Sequence, residues 1–411
     1  MLFKKLIVYT LLVVLFVGCK SKSKINHKVV TIDSENVKWD KNNPNQVFPS
    51  AYLVPQYIHL LQNKNIAVVA NQTSTIFQTH LVDTLLSLGV NVKLVFSPEH
   101  GFRGDHDAGA KVDHGIDEKT KIPIFSLHGK TRKPTVESLQ GVDFVLFDIQ
   151  DVGVRFYTYI STLHYVMEAC AENGIPLIVL DRPNPNAHYI YGPVLKPQFK
   201  SFIGMHPVPV VYGASIGEYA KMINGENWLP DSLHCNLLVV PMENWNRKQS
   251  YILPIPPSPN LPNQRSILLY PSLCFFEGTV MNEGRGTDFP FQIYGHPQYS
   301  PKDFSYTPRS IPGKSLEPKF KGELCYGKDL TKLKEAEILS WKKINWDYLQ
   351  DAYDSTKVDD FFNRAKFFSL LEGDDKIISA IKNKTIKDLE KVWEEELKSY
   401  LIILDKYKLY D

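Results

Sequence analysis

VKLVFSPEHGFR, residues 92–103, begins as an apolar, β-rich run and breaks off in a turn that carries an acid and an imidazole. Pro98 removes a backbone donor and Gly101 admits a positive φ, so the strand expected over Val92 to Phe96 stops there and holds Glu99 and His100 at its carboxyl end. In an open α/β sheet that end is where ligands bind. Whether Glu99 does chemistry or is a solvated turn residue depends on the fold around it.

Outward from this turn, from Asn65 on, short β-branched runs alternate with amphipathic stretches, the rhythm of a parallel sheet covered by helices. The pattern predicts strands over Ile66 to Ala70, Val92 to Phe96, Ile122 to Leu127, Phe144 to Asp148, Leu177 to Leu180, Val208 to Tyr212 and Leu237 to Val240. Helices are expected over Thr79 to Leu88 and over Tyr159 to Asn173, the latter stopped by Gly174. The fold class is therefore α/β, doubly wound. No GxGxxG follows the first strand and no GxxxxGK[ST] occurs, so the backbone cradle that a nucleotide's phosphates require is missing and no cofactor is expected.

Polar residues interrupt this pattern at one end of the strands. They are Asn71 after the first, Glu99 and His100 after the second, Asp148, Asp151 and Arg155 after the fourth, and Asp181, Arg182 and Asn184 after the fifth. Strand ends in a parallel sheet share an edge, so these groups point to one crevice.

The chain has 411 residues, 43% hydrophobic and 22% charged, which suits a globular protein of two domains. A net charge of +2 with both signs interspersed argues against nucleic acid as a partner. At the N-terminus, Lys4 and Lys5 precede an apolar run from Leu6 to Val17, too short to span a bilayer but suited to a signal peptide. Phe16-Val17-Gly18-Cys19 resembles a bacterial lipobox, which implies cleavage before a lipidated Cys19. Residues 1–19 are thus expected to be a lipoprotein signal, residues 20–47 a polar tether, and the chain a lipid-anchored protein of the cell envelope. Cys170, Cys235, Cys274 and Cys325 have no metal-binding spacing and read as buried thiols. The stretch PIPPSPNLPN, residues 254–263, is incompatible with a helix and marks a junction between a domain over 48–265 and a smaller one over 266–411. Early in the second domain, residues 277–291 bring Glu277, Asn282, Glu283, Arg285 and Asp288 into a Gly-rich loop suited to close the crevice.

Three chemistries compete. Gly213-Ala214-Ser215-Ile216-Gly217 matches the GxSxG of a serine hydrolase, but Ser215 and Glu218 also form a helix capping box. His100, Asp105, His106, Asp107, Asp113 and His114 crowd one loop without compact ligand spacing, so no metal site is assigned. Glycoside hydrolysis needs an acid to protonate the leaving oxygen and a second group for the anomeric centre. Glu99 supplies the acid, and Asp148, Asp151 or Glu283 the second carboxylate. Arg155 and Arg285 suit a substrate carboxylate, and Phe156, Tyr157 and Tyr159 suit sugar faces.

Five long motifs in order carry a resemblance. SPEHGFRG with DAG (97–104, 107–109), FDIQDVGVRFYTYISTL (147–163), LDRPNP (180–185), PPSPNLP (256–262) and EGT with GRGTDFPF (277–291) resemble the DUF1343 family, the NamZ-type exo-β-N-acetylmuramidases. The resemblance covers the chain from about residue 50. It implies a Rossmann-like N-terminal domain without nucleotide, a smaller C-terminal α/β domain and a cleft between them. The activity it implies is release of N-acetylmuramic acid from the non-reducing end of peptidoglycan fragments, with Glu99 of SPEHG as the candidate catalytic residue. A lactyl carboxylate on that sugar gives Arg103, Arg155 or Arg285 a reason to be present. A lipid-anchored glycan-binding protein without turnover is the non-catalytic alternative.

Overall fold

The computed structural model describes residues 46–99, 101–103, 115–129 and 131–411. The expected signal peptide, Cys19, nearly all of the tether, His100 and the His/Asp-rich part of the loop after Arg103 lie outside the described residues. Gln46 and Val47, assigned above to the tether, already belong to the body: Gln46 O accepts from Asn244 and Val47 packs on Trp245 and Met242.

The N-terminal half builds helix α1 (Val54–Leu61), strand β1 (Asn65–Ala70), a hairpin of β2 (Thr75–Ile76) and β3 (Thr79–His80), and helix α2 (Leu81–Ser87). Then follow β4 (Asn91–Ser97), β5 (Gly115–Ile116), β6 (Pro123–Ser126), α3 (Val136–Leu139), β7 (Phe144–Asp148), α4 (Tyr159–Asn173), β8 (Leu177–Leu180), α5 (Ile216–Gly225) and β9 (Leu237–Val240). The sheet order is β5-β6-β4-β1-β7-β8-β9, parallel throughout except for β5. With that short edge strand set aside, this is the Rossmann order, whose direction reverses at β1. Val69 lies opposite Phe96 and Ala70 opposite Asp148, so the carboxyl ends of β4, β1 and β7 are level.

Alternation along the buried strands explains the double winding. Ile66, Val68 and Ala70 of β1, with Leu146, Ile178 and Leu180, pack under α1 and α2 beside Tyr57, Leu61, Leu81 and Leu85. Ala67 and Val69, with Val145, Phe147, Leu177 and Val179, face the opposite way toward α4 and α5. That second core runs on into the C-terminal half. There α6 (Gln264–Leu273), β10 (Ile293–His296), β11 (Ser305–Tyr306), β12 (Cys325–Asp329), α7 (Glu335–Trp341), α8 (Asp347–Ser355), α9 (Ala365–Glu372), α10 (Ile377–Asn383) and α11 (Ile386–Tyr407) make a separate small α/β domain. Its sheet is antiparallel in the order β10-β12-β11.

Two expectations are corrected. Val208 to Tyr212 is not a strand: Pro207 and Pro209 remove alternate donors, and the segment makes only isolated bridges from Val211 to Val154 and Tyr191. Thr385 with Asp388 three positions on has the sequence pattern of a capping box at the head of α11, yet no such box forms. Thr385 follows the left-handed Lys384, and its own N–H closes back on Ala380 O instead.

Arg155 and Glu372 join the two halves. Arg155 is fully buried, and its guanidinium donates to the carbonyls of Pro193 (2.8 Å), Val208 (2.7 Å), Leu371 (3.0 Å) and Glu372 (2.6 Å). The Glu372 side chain at the end of α9 accepts from the Ile377 N–H at 3.1 Å and has one oxygen without a partner. Burial pushes its carboxyl up to about 9. An acid whose folded pKa is raised binds protons the unfolded chain has lost, so it stabilises below about pH 4.5 and that contribution drains away as pH rises toward 9. Thermal unfolding followed from pH 5 to 9 should therefore show a steady loss of melting temperature, and Glu372→Gln should flatten it. A wild-type profile with the same slope as the variant would refute this assignment.

Candidate active site

A cleft opens at the carboxyl edge of the sheet, between the two halves. One wall is Glu99, past the end of β4. Another is the segment from Phe156 to Tyr159 that leads into α4. The Pro-rich strap contributes Ser258, Asn260 and Leu261, and the C-terminal half contributes Tyr270, Arg285 and Phe291. Among the described lining residues Glu99 is the single carboxylate and Arg285 the single cation.

Each wall is held from behind. Tyr157 donates to the Pro257 carbonyl at 2.8 Å, and Gln72 reaches the same carbonyl at 3.1 Å, so the strap is tied down over the ends of β1 and β7. Asn260 Nδ2 donates to Lys314 O at 2.9 Å, and Asn263 caps α6 in a reciprocal box with Ser266. Phe156 and Tyr270 meet edge to face with centroids 5.4 Å apart, and Tyr270 and Phe291 do the same at 4.9 Å. Gly284 and Gly286, both at positive φ, turn the chain so that Arg285 points inward. A Cβ at either glycine would lie within 2.6 Å of a neighbour, Phe289 O or Pro318 Cγ.

Arg285 is one quarter exposed, the arrangement expected of a cation that meets a ligand. Its Nη2 pairs with Glu277 at 2.9 Å and its Nε with Glu283 at 3.2 Å, while its guanidinium lies over Phe291 at 5.1 Å. Against burial, which would lower it, those two carboxylates raise the Arg285 pKa and keep it charged. Glu283 is itself buried and also bridges to Lys319 at 3.4 Å. It orients Arg285 from outside the lining.

The structure gives the other candidates different partners. Asp148 and Arg182 form a closed ion pair, Nε to Oδ1 at 2.5 Å and Nη2 to Oδ2 at 2.8 Å, with both residues buried. Asp151 receives the Tyr212 hydroxyl and the Gly153 N–H, and burial raises its carboxyl to about 7. Asp181 accepts from Ser215 Oγ, from Tyr410 Oη (each 2.6 Å) and from Gly217 N–H (2.7 Å). Asn184 holds Ala214 O and the Asn186 N–H. Arg103 sits between Asp117 at 2.8 Å and Asp83 at 3.2 Å. Arg155 has its four carbonyls. Of the residues singled out in the sequence, the cleft gathers Glu99, Phe156, Tyr157, Tyr159 and Arg285, with Asn71 behind Tyr159 and Glu283 behind Arg285. Ser215 is buried and takes part in the capping box with Glu218, so it has no path to a substrate. Ser258 and Asn260 were missed because proline density marked their segment only as a junction. The polar pair inside PPSPNLP was the available signal.

Comparison with known proteins then decides the family. The model described as exo-β-N-acetylmuramidase NamZ, N-terminal, matches residues 66–265, and its C-terminal counterpart matches residues 268–410. This chain belongs to the NamZ family. The peptidoglycan β-N-acetylmuramidase NamZ of Bacillus subtilis is 38% identical over 376 residues, 87% of this chain and 90% of that protein. A DUF1343 family protein of Bacteroides fragilis has a crystal structure that matches with a TM-score of 0.83 at 43% identity, covering 89% of this chain and 99% of that one. A second from the same organism matches at 0.76 and 28% identity over the same shares.

Partnering predicts that Arg155→Lys, which keeps the charge but loses the fork, costs stability by about 3 kcal/mol or more while leaving the KM of the folded fraction within about twofold. Denaturant titration and steady-state kinetics on the same preparation would separate the two; a raised KM at unchanged stability would place Arg155 in substrate binding after all.

Proposed function

We propose that this chain is an exo-β-N-acetylmuramidase that releases N-acetylmuramic acid from non-reducing ends of peptidoglycan-derived glycans, in cell-wall turnover. The observation that carries the reading is the cleft formed between the two NamZ-family halves, whose described lining residues include one acid, Glu99, and one cation, Arg285, on aromatic walls. In this reading Glu99 protonates the glycosidic oxygen as the anomeric carbon develops oxocarbenium character. Arg285 takes the lactyl carboxylate, the group that separates N-acetylmuramic acid from N-acetylglucosamine, by charge-assisted hydrogen bonds. Tyr157, Tyr159 and Phe291 give the sugar rings apolar faces. The N-terminal sequence supports export and lipidation at Cys19, which would tether the enzyme to a membrane of the cell envelope beside its substrate.

Full-length protein in detergent, given a MurNAc-GlcNAc disaccharide, should release free MurNAc, and Glu99→Gln should lower kcat at least about a hundredfold while the fold survives. Binding of the disaccharide without turnover by the wild type would replace hydrolysis by the glycan-binding alternative. Arg285→Gln should reduce kcat/KM for muramyl substrates roughly ten- to a hundredfold and narrow the preference over the N-acetylglucosaminyl analogue. An unchanged preference would remove Arg285 from recognition. For the anchor, Cys19→Ser should move the protein from the detergent-rich to the aqueous phase of a Triton X-114 partition; equal partitioning of both would show that Cys19 holds no lipid.

A further inference from the structure

Tyr159 lines the cleft, and the hydrogen-bond directions of its hydroxyl are fixed from behind. Asn71 Oδ1 accepts both the Thr73 N–H at 2.9 Å and the Thr73 hydroxyl at 2.6 Å, which turns the amide so that Nδ2 faces Tyr159 Oη at 2.9 Å. Nδ2 only donates, so the Tyr159 oxygen is an acceptor in that contact and its proton is directed elsewhere. The Pro257 carbonyl, 3.5 Å away, already takes Tyr157 at 2.8 Å and Gln72 at 3.1 Å on its two lone pairs. Two acceptors remain: the Tyr157 hydroxyl beside it and Glu99 across the cleft. Glu99 and Tyr159 line the same cleft, and after burial the Glu99 charge is the next cause that raises the Tyr159 pKa, so the two groups face each other within electrostatic reach. A charged acceptor makes a hydrogen bond about twice as strong as a neutral one.

We propose that the Tyr159 hydroxyl, oriented by Asn71 and Thr73, donates to Glu99 and stabilises the carboxylate that Glu99 becomes when it gives up its proton. The role rests on the muramidase reading with Glu99 as the acid. As the anomeric C–O bond breaks, its electron pair goes to the leaving oxygen, which takes the Glu99 proton. Water adds its oxygen to the anomeric carbon, and the proton it sheds restores the acid. Tyr159 keeps its own proton throughout and acts as a positioning residue. Its contribution is greatest where proton donation matters most, with a poor leaving group.

The test compares two substrates of the full-length enzyme, a MurNAc-GlcNAc disaccharide and an aryl N-acetylmuramide whose acidic phenol departs without a proton. Tyr159→Phe should lower kcat on the disaccharide roughly ten- to a hundredfold with KM within about twofold, yet lower it no more than about threefold on the aryl glycoside. Asn71→Ala, which releases the orientation while keeping the hydroxyl, should show the same dependence on leaving group in weaker form, and it serves if the phenylalanine variant melts below the assay temperature. Equal losses on both substrates, or none on the disaccharide, in a wild type that turns over would overturn the Tyr159 role alone. A wild type that cleaves neither substrate would overturn the muramidase reading and this inference with it.

Discussion

Asp148 and Arg182 meet as a closed, buried ion pair at the carboxyl end of β7, beside the point where the order of the sheet reverses. Neither charge is free for a ligand, and either one alone in that interior would cost several kcal/mol of desolvation. The neighbouring groups complete the seal. Arg182 also donates to Thr75 O, Ser74 to the Asp148 carbonyl, and Thr73 Oγ1 accepts from the Gln150 N–H. A Rossmann-like sheet ordinarily leaves a crevice here for a nucleotide's phosphates. In this chain the β1 and β7 loops satisfy each other instead, and the cleft lies farther out, between Glu99, the strap and the C-terminal half.

That displacement accounts for the charge pattern of the cleft. Arg285 is balanced by Glu277 and Glu283, and Glu283 is balanced in turn by Lys319, so the group of four is neutral as a unit. Neutrality lets Arg285 remain a quarter exposed without a large local field, while the carboxylates behind it fix the plane of its fork.

The sheet was legible because its central strands β1, β7 and β8 are buried on both faces and its strands read as apolar runs bounded by turn residues. Phe144–Asp148, Leu177–Leu180 and Leu237–Val240 fall where the apolar runs place them, and α4 ends at Gly174 in the left-handed conformation. Val208 to Tyr212 has the same composition but alternating prolines, and the missing donors outweigh its β propensity. Polarity at the strand ends was legible too, but not its purpose. Asp148, Asp151, Asp181, Arg155 and Arg182 carry the residue types that catalysis uses, and tertiary partners many positions away employ them in the fold: Arg155 with Leu371, Asp181 with Tyr410. A single sequence does not display those pairings, and the residue left facing the cleft is known only once they are subtracted.

Docking of the two halves and the shape of the cleft are linked through the same few residues. Arg155 spends half of its guanidinium on carbonyls at the end of α9, and the next four residues are the Phe156–Tyr159 wall. Gly373 follows directly, where a Cβ would lie 2.5 Å from the Arg155 guanidinium, so the C-terminal half approaches as closely as backbone permits. The chain's last residues make a second tie, with Leu409 N–H on Glu218 and Tyr410 on Asp181, beside the capped start of α5. Arg285 and Phe291 therefore line one cleft with Glu99 only when the C-terminal half is seated. The buried arginine that the sequence offers as a substrate ligand instead sets the width of the cleft.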